Sequence, residues 1–177
     1  MKKNRKTSKQ EIMDKSWDIF SDNSFFSISM REIAKHLDIK KSLLYYYFRD
    51  KSDLFCKVIT NNLKKIFSQF DIIFNSDISY SRKIEKLSAL YLREIRSKSI
   101  LLSSNDRKMD NSICSILDNI EHKISYYFEE TLRKGIKSGE FRKTDPKNLS
   151  MALLGYLEKT GKNHTNNQPN WLEFLYK

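Results

Sequence analysis

The chain has 177 residues, a formal net charge of +11, 39% hydrophobic residues and two cysteines. That length suits one core, or a module of about 50 residues joined to a larger one of about 120. No apolar run is long enough to span a bilayer, so no membrane partner is expected.

Other exclusions come from residue types. The basic N-terminus lacks the apolar stretch of a secretory signal, and Cys56 and Cys114 have no metal-type spacing. A cytoplasmic chain with reduced thiols is expected. All four glycines lie at or beyond Gly135, so residues 1–134 hold no phosphate loop and no dinucleotide fingerprint. His36, His122 and His164 have no ligand spacing, and no nucleophile–base signature occurs. Neither an enzyme nor a metal or cofactor site is expected. With Pro146 and Pro169 as the only prolines and long 3.6-residue periodicities, the chain reads as all-α.

Charge is unevenly spread. Residues 1–9 carry Lys2, Lys3, Arg5, Lys6 and Lys9 with no acid, whereas residues 10–60 balance eight bases against eight acids. The N-terminal arm, residues 1–7, is therefore the concentrated basic patch, suited to DNA phosphates or a minor groove.

In chain order, Ser8 and Glu11 have the spacing of a capping box, predicting a helix from Lys9 to Asp22 with Ile12, Ser16, Ile19 and Phe20 on one face. A second capping box, Ser29 with Glu32, is flanked by Ile28 and Ile33 as a hydrophobic staple. This predicts a helix to about Leu37, a turn at Asp38, and a short helix with Leu44 and Phe48 inward. Asp50 and Asp53 open a long fourth helix along which Leu63, Ile66, Phe67, Phe70 and Phe74 recur at helical spacing.

Two short amphipathic helices around a tight turn, followed by three tyrosines, are what a helix-turn-helix laid in a major groove requires. With Leu44 and Phe48 inward, the third helix presents Lys40, Lys41, Ser42, Leu43, Tyr45, Tyr46 and Tyr47 outward. Lysine can reach guanine, Ser42 either base type, and Leu43 a thymine methyl. Tyr45, Tyr46 and Lys51 suit phosphate oxygens, and Arg31 a phosphate or a flanking guanine. Three consecutive tyrosines cannot all face inward on one helix, so core packing competes chiefly for Tyr47.

Beyond residue 75 a helix carries Ile84, Leu87, Tyr91 and Ile95. After the polar stretch Ser103–Asn111 another carries Ile113, Ile116, Ile120, Ile124, Tyr127, Phe128 and Leu132, ending at Ser138-Gly139. Asp145-Pro146 starts a helix that Gly161 ends. This helix is apolar on two sides: Leu149, Leu153, Tyr156 and Leu157 suit a core, and Met151, Leu154 and Gly155 a partner chain. A polar loop, residues 163–170, and a short apolar tail, Trp171–Tyr176, complete the chain.

The spacing and residue types of Ile19-Phe20, Ser29-Met30-Arg31-Glu32-Ile33-Ala34, Leu44-Tyr45-Tyr46-Tyr47-Phe48 and Lys51 resemble the DNA-binding module of the TetR family of bacterial transcriptional regulators. Residues 135–142 with Asp145-Pro146 resemble that family's junction between its last two major helices. Ser24, Asp38 and Ser42 stand where the family usually has glycine. Lys40 stands where it has a serine cap, so fraying is expected at the start of the third helix in the absence of DNA.

The resemblance implies a homodimeric repressor on a palindromic double-stranded operator, released by a small-molecule effector. An activator, or a regulator without an effector, fits the same family. The implied organisation is a basic arm (1–7), a helix-turn-helix domain (8–50) and a helical-bundle ligand-binding and dimerisation domain (51–177). Phe67, Phe70, Tyr91, Cys114, His122 and Tyr126 are the candidate effector-lining residues, against ordinary core packing for any one of them. The rival reading is a helical interaction protein whose basic surface meets an acidic protein or a membrane, without sequence preference on DNA.

Overall fold

In the computed structural model the described residues are 7–23, 25–95, 111–160 and 173–176; of residues 111–114, 117, 160, 173 and 174 the backbone alone is described. Most of the basic arm, Ser24, the polar stretch up to residue 110, Gly161, the loop at 163–170 and Trp171 lie outside them. Among the described residues the regular structure is helical: α1 Lys9–Asp22, α2 Met30–His36, α3 Lys41–Tyr47, α4 Lys51–Asn75, α5 Tyr80–Leu90, α6 Asn111–Lys137, α7 Pro146–Thr160 and α8 Glu173–Tyr176. The all-α expectation holds.

The chain divides into two compact units, and the division falls inside α4. The described part of the first reaches Ile66 and takes in residues 111–117. It thus extends beyond the helix-turn-helix module of residues 8–50. The reason is packing: the first half of α4 contributes Leu54, Phe55, Val58 and Ile59, all buried, to the core that also holds Ile12, Phe20, Ile33, Leu44 and Phe48. The Phe55 ring meets Phe20 edge-on at 4.9 Å and Phe25 at 4.8 Å. Each such side chain removed from water contributes roughly 2–3 kcal/mol.

The helix ends of this unit are set locally. Ser8 accepts from the Glu11 N–H at 3.1 Å while Glu11 accepts from the Ser8 N–H at 2.8 Å. Ser29 and Glu32 repeat the exchange at 3.3 and 2.8 Å, and Ile28 and Ile33, the expected staple, are both buried. Asp50 accepts from the Asp53 N–H at 2.8 Å, and the Asp53 carboxylate from the Arg49 N–H at 3.0 Å. These acceptors satisfy N–H groups that the first turn of a helix leaves without partners.

The second unit holds, of the described residues, 67–95, 118–160 and 173–176. Its core is aromatic: Phe67 stacks on Tyr127 at 6.2 Å, Phe70 lies 5.2 Å from Tyr127, and Phe128 is fully buried with Ile84, Leu87 and Leu132. The periodic pattern to Ile95 is not one regular helix. At Tyr91–Ile95 the backbone widens into a π-helical turn, which keeps both Tyr91 and Ile95 buried.

At the end of α6, Gly139 takes φ +81°, the left-handed conformation that closes a helix. The Glu140 carboxylate then reaches the start of α5, accepting from the Tyr80 and Ser81 N–H groups at 2.9 and 2.8 Å and from the Ser81 hydroxyl at 2.6 Å. Asp145 accepts from the Lys147 N–H at 2.9 Å, opening α7 at Pro146 as expected.

Candidate nucleic-acid interface

The turn between α2 and α3 depends on Asp38, whose φ of 51° places it in the left-handed region. Aspartate tolerates that conformation better than most residues with a side chain. The turn is closed by the Asp38 N–H donating to the Lys35 carbonyl at 3.2 Å and the Ile39 N–H to the Ala34 carbonyl at 3.0 Å. Lys40 makes no side-chain cap at the start of α3, as its residue type implies.

What holds α3 is its inner edge. Leu44 and Phe48, at either end of one helical turn, are buried. Opposite them, Lys40, Lys41, Ser42, Tyr45 and Tyr46 are exposed, and Leu43 and Tyr47 are half-buried. Tyr46 is 78% exposed, too open to be a core residue, so its phenol is free for a partner. Tyr47 instead packs between its neighbours, 4.9 Å from the Tyr46 ring and 6.3 Å from Phe48. The Lys41 ammonium lies 5.4 Å over the Tyr45 ring. This face therefore pairs a cation with aromatic hydroxyls.

Arg31 is exposed on the first turn of α2, whose capping carboxylate Glu32 is held below the usual carboxylate range by its bonds from Ser29. At the far end of α3, the ammonium groups of Lys9 and Lys57 each lie 5.7 Å from the Phe48 ring. Lys9 brings the start of α1, and with it the point where the basic arm joins, to the C-terminal end of α3.

Lys51, on the first turn of α4, is half-buried. Its ammonium donates to the carbonyls of Phe25 at 2.7 Å and Ile28 at 2.9 Å and lies 4.4 Å over the Phe25 ring. Burial there pulls its pKa below the ordinary lysine value. Nothing in the sequence marks two loop carbonyls as its partners.

The effector candidates do not share one environment. Phe67, Phe70 and Tyr91 are buried in the second unit, whereas His122 is exposed and Tyr126 is 56% exposed on the outer side of α6. His122 and Tyr126 are four apart, so one helical face carries both outward while Ile120, Ile124, Tyr127 and Phe128 face in. Cys114 lies in α6 with its side chain outside the description. Sequence reasoning missed the polar pair at the edge of the aromatic core. The Tyr127 hydroxyl donates to Asp71, and burial, then this carboxylate, raises the tyrosine pKa.

A helix-turn-helix anchored from within, with an open face of lysines, serine and tyrosines, defines a DNA-binding regulator. The family description "Bacterial regulatory proteins, tetR family" matches residues 12–58, the segment just described. Residues 12–58 are thus similar to the DNA-binding region of this family. It is 33% identical to a helix-turn-helix-type transcriptional regulator of Staphylococcus aureus over 96 residues, 54% of this chain and 51% of the relative. The match thus spans about half of that relative's length. The regulator YhgD of Bacillus subtilis is 20% identical over 149 residues, covering 82% of this chain and 78% of YhgD. Among solved structures, a transcriptional regulator from Saccharomonospora viridis in complex with choline superposes with a TM-score of 0.78 at 17% identity, over 91% of this chain and 86% of that one.

Proposed function

We propose that the chain is a homodimeric repressor that reads a palindromic operator through α3 and is released by a small-molecule effector. The observation that carries this reading is the division of α3: Leu44 and Phe48 are spent on the core, and Lys41, Ser42, Tyr45 and Tyr46 are left on the open face. Lys41 and Ser42 read base edges, Leu43 packs on a thymine methyl, and Tyr45, Tyr46 and Arg31 fix the helix on phosphates. The arm at residues 1–7 supplies non-specific attraction. The reading places the chain with its DNA in the cytoplasm and involves no catalytic step.

The dimer reading rests on α7. Leu153 and Leu157 are buried, while Met151 is 63% exposed and Gly155 has open space where a Cβ would stand. Met151, Leu154 and Gly155 are the proposed partner face. A second copy gives two recognition helices the spacing of about 34–36 Å that successive major grooves demand. Phe67, Phe70 and Tyr91 are retained as effector-lining residues, and His122 and Tyr126 are not. The effector acts by its differential affinity for the DNA-competent state.

Selection of random oligonucleotides with the purified chain tests the reading. One palindromic consensus is expected, and Tyr46→Ala or Lys41→Ala should abolish or relax its recognition in a folded protein. Unchanged gel-shift affinity in both variants would remove α3 from the interface.

A further inference from the structure

We propose that Tyr45 is a positioning residue for base reading: its ring holds the Lys41 ammonium over the open face of α3, so that the charge is ordered before DNA arrives. The proposal rests on the reading of α3 as the recognition helix, and it goes beyond a phosphate contact of the Tyr45 hydroxyl. Three observations carry it.

The first is geometry. Lys41 and Tyr45 are four apart, so they share one face of α3. A side chain on a helix leans back over the turn before its own Cα, which carries the Tyr45 ring towards Lys41. The ammonium lies 5.4 Å from the ring centroid, within reach of a cation–π attraction. Lys41 is exposed and Tyr45 is 47% exposed, so the contact lies on the face left open to a partner and not in the core.

The second is what Lys41 lacks. The first turn of α3 holds no acid, and among the described residues no carboxylate pairs with the Lys41 ammonium. Lys57 and Lys65, by contrast, are each held by an aspartate, at 2.8 and 2.7 Å. A carboxylate neutralises the charge and competes for its N–H groups. A ring face attracts the charge without supplying such an acceptor, so the donors remain for the O6 and N7 of a guanine.

The third is the cost that ordering removes. A free lysine side chain spreads over many rotamers, and binding must freeze one of them. Tyr45 directly follows Leu44, which is fully buried, so the core fixes the backbone that carries the ring. The ring passes that order to Lys41, one turn away.

The test is a cycle of variants titrated against the duplex that the wild type enriches from random oligonucleotides. Tyr45→Phe keeps the ring and loses the hydroxyl, whereas Tyr45→Leu loses both and remains a good helix former. Each is made with Lys41 and with Lys41→Met, and circular dichroism checks the fold. With Lys41 present, the Leu variant is expected to bind about fivefold more weakly than the Phe variant. With Lys41→Met, the two should agree within about twofold. Equal binding of the Phe and Leu variants with Lys41 present overturns the proposal, leaving the hydroxyl as the whole contribution. A difference that persists with Lys41→Met also overturns it, since the ring would then act on the DNA or the helix directly.

A second measurement needs neither DNA nor a folded variant. Proton NMR of the wild-type chain reads the Lys41 ε-methylene group, which the Tyr45 ring current should move upfield. An ordinary lysine shift there refutes the ordering. If the upfield shift is present but the wild type enriches no duplex, the DNA-binding reading itself falls and the proposal with it, leaving the contact a structural one.

Discussion

The two units solve the same problem, the unpaired N–H groups at helix starts, over different distances in sequence. In the first unit Ser8 and Glu11, Ser29 and Glu32, and Asp50 and Asp53 are each three residues apart. In the second, α5 receives Ser79 from next door but also Glu140 from the turn between α6 and α7, 60 residues on. A local cap forms with its own helix and survives small shifts of its neighbours. A distant cap exists in one packing arrangement only, so any rearrangement of α5 against the end of α6 must break it. The DNA-reading elements are thus defined at short range, and the second unit is the place where a change of packing carries an energetic consequence.

The largest break in this comparison is expected at Gly135. A Cβ there would stand 2.3 Å from two atoms of the Phe141 ring and 3.0 Å from the Tyr80 Cβ. Gly135→Ala should therefore cost about 2–3 kcal/mol in denaturant unfolding. Hydrogen exchange should loosen in α5 and residues 135–141 while protection in α2 and α3 is retained. Unchanged stability would mean that the Phe141 ring swings aside at no cost.

Glu140→Gln comes next, at about 2 kcal/mol, because charge-assisted bonds to two N–H groups and a hydroxyl are weakened together. Burial alone would raise the Glu140 pKa, but the bonds from Ser81 and Tyr80 outweigh it and hold the group below the ordinary value of 4.5. A carboxylate depressed in the folded state binds fewer protons there than when unfolded. Its contribution is therefore complete above pH 4.5 and is lost as pH falls through the lowered value. The wild type should lose stability relative to the Gln variant over that acid range. Parallel pH profiles would show that the distant cap contributes no ionic stabilisation.

This contrast also explains what could be read without coordinates. Both capping boxes, the staple, the Asp38 turn and the inward pair Leu44 and Phe48 follow from residues within five positions of one another. The destination of the Lys51 ammonium does not, since its partners are carbonyls 23 and 26 residues away that any residue type could supply. Nor does the Asp71–Tyr127 bond, which joins α4 to α6. The π-helical turn at Tyr91–Ile95 escaped because Tyr91 and Ile95 suit an α-helical periodicity equally well. His122 and Tyr126 are candidates by their chemistry, but Ile124, Tyr127 and Phe128 take the inner face of α6, and His122 is exposed, as its charged neighbours Glu121 and Lys123 suggest.

Ser29→Ala sharpens the comparison from the local side. Losing the N-cap acceptor should cost about 1 kcal/mol, with the Glu32 half of the exchange still in place. Because the DNA-reading helices share that segment, operator affinity should fall with it, and hydrogen exchange should locate the change in α2. A loss spread evenly over both units would contradict the short-range description.

The smallest effect is expected where an interaction is long in sequence but exposed. Lys65 bonds Asp14 at 2.7 Å, joining α4 to α1, with the two side chains 57% and 43% exposed. The Lys65 hydrogen bond leads the contributions that lower the Asp14 pKa, yet water and salt screen such a pair. A double-mutant cycle of Lys65→Met and Asp14→Asn should give a coupling within about 0.5 kcal/mol that shrinks further in high salt. Glu140 and Asp14 would then differ through burial, since both bridge distant segments and each accepts three hydrogen bonds. A coupling as large as the Glu140 effect would mean instead that sequence distance, whatever the exposure, sets the strength of these ties.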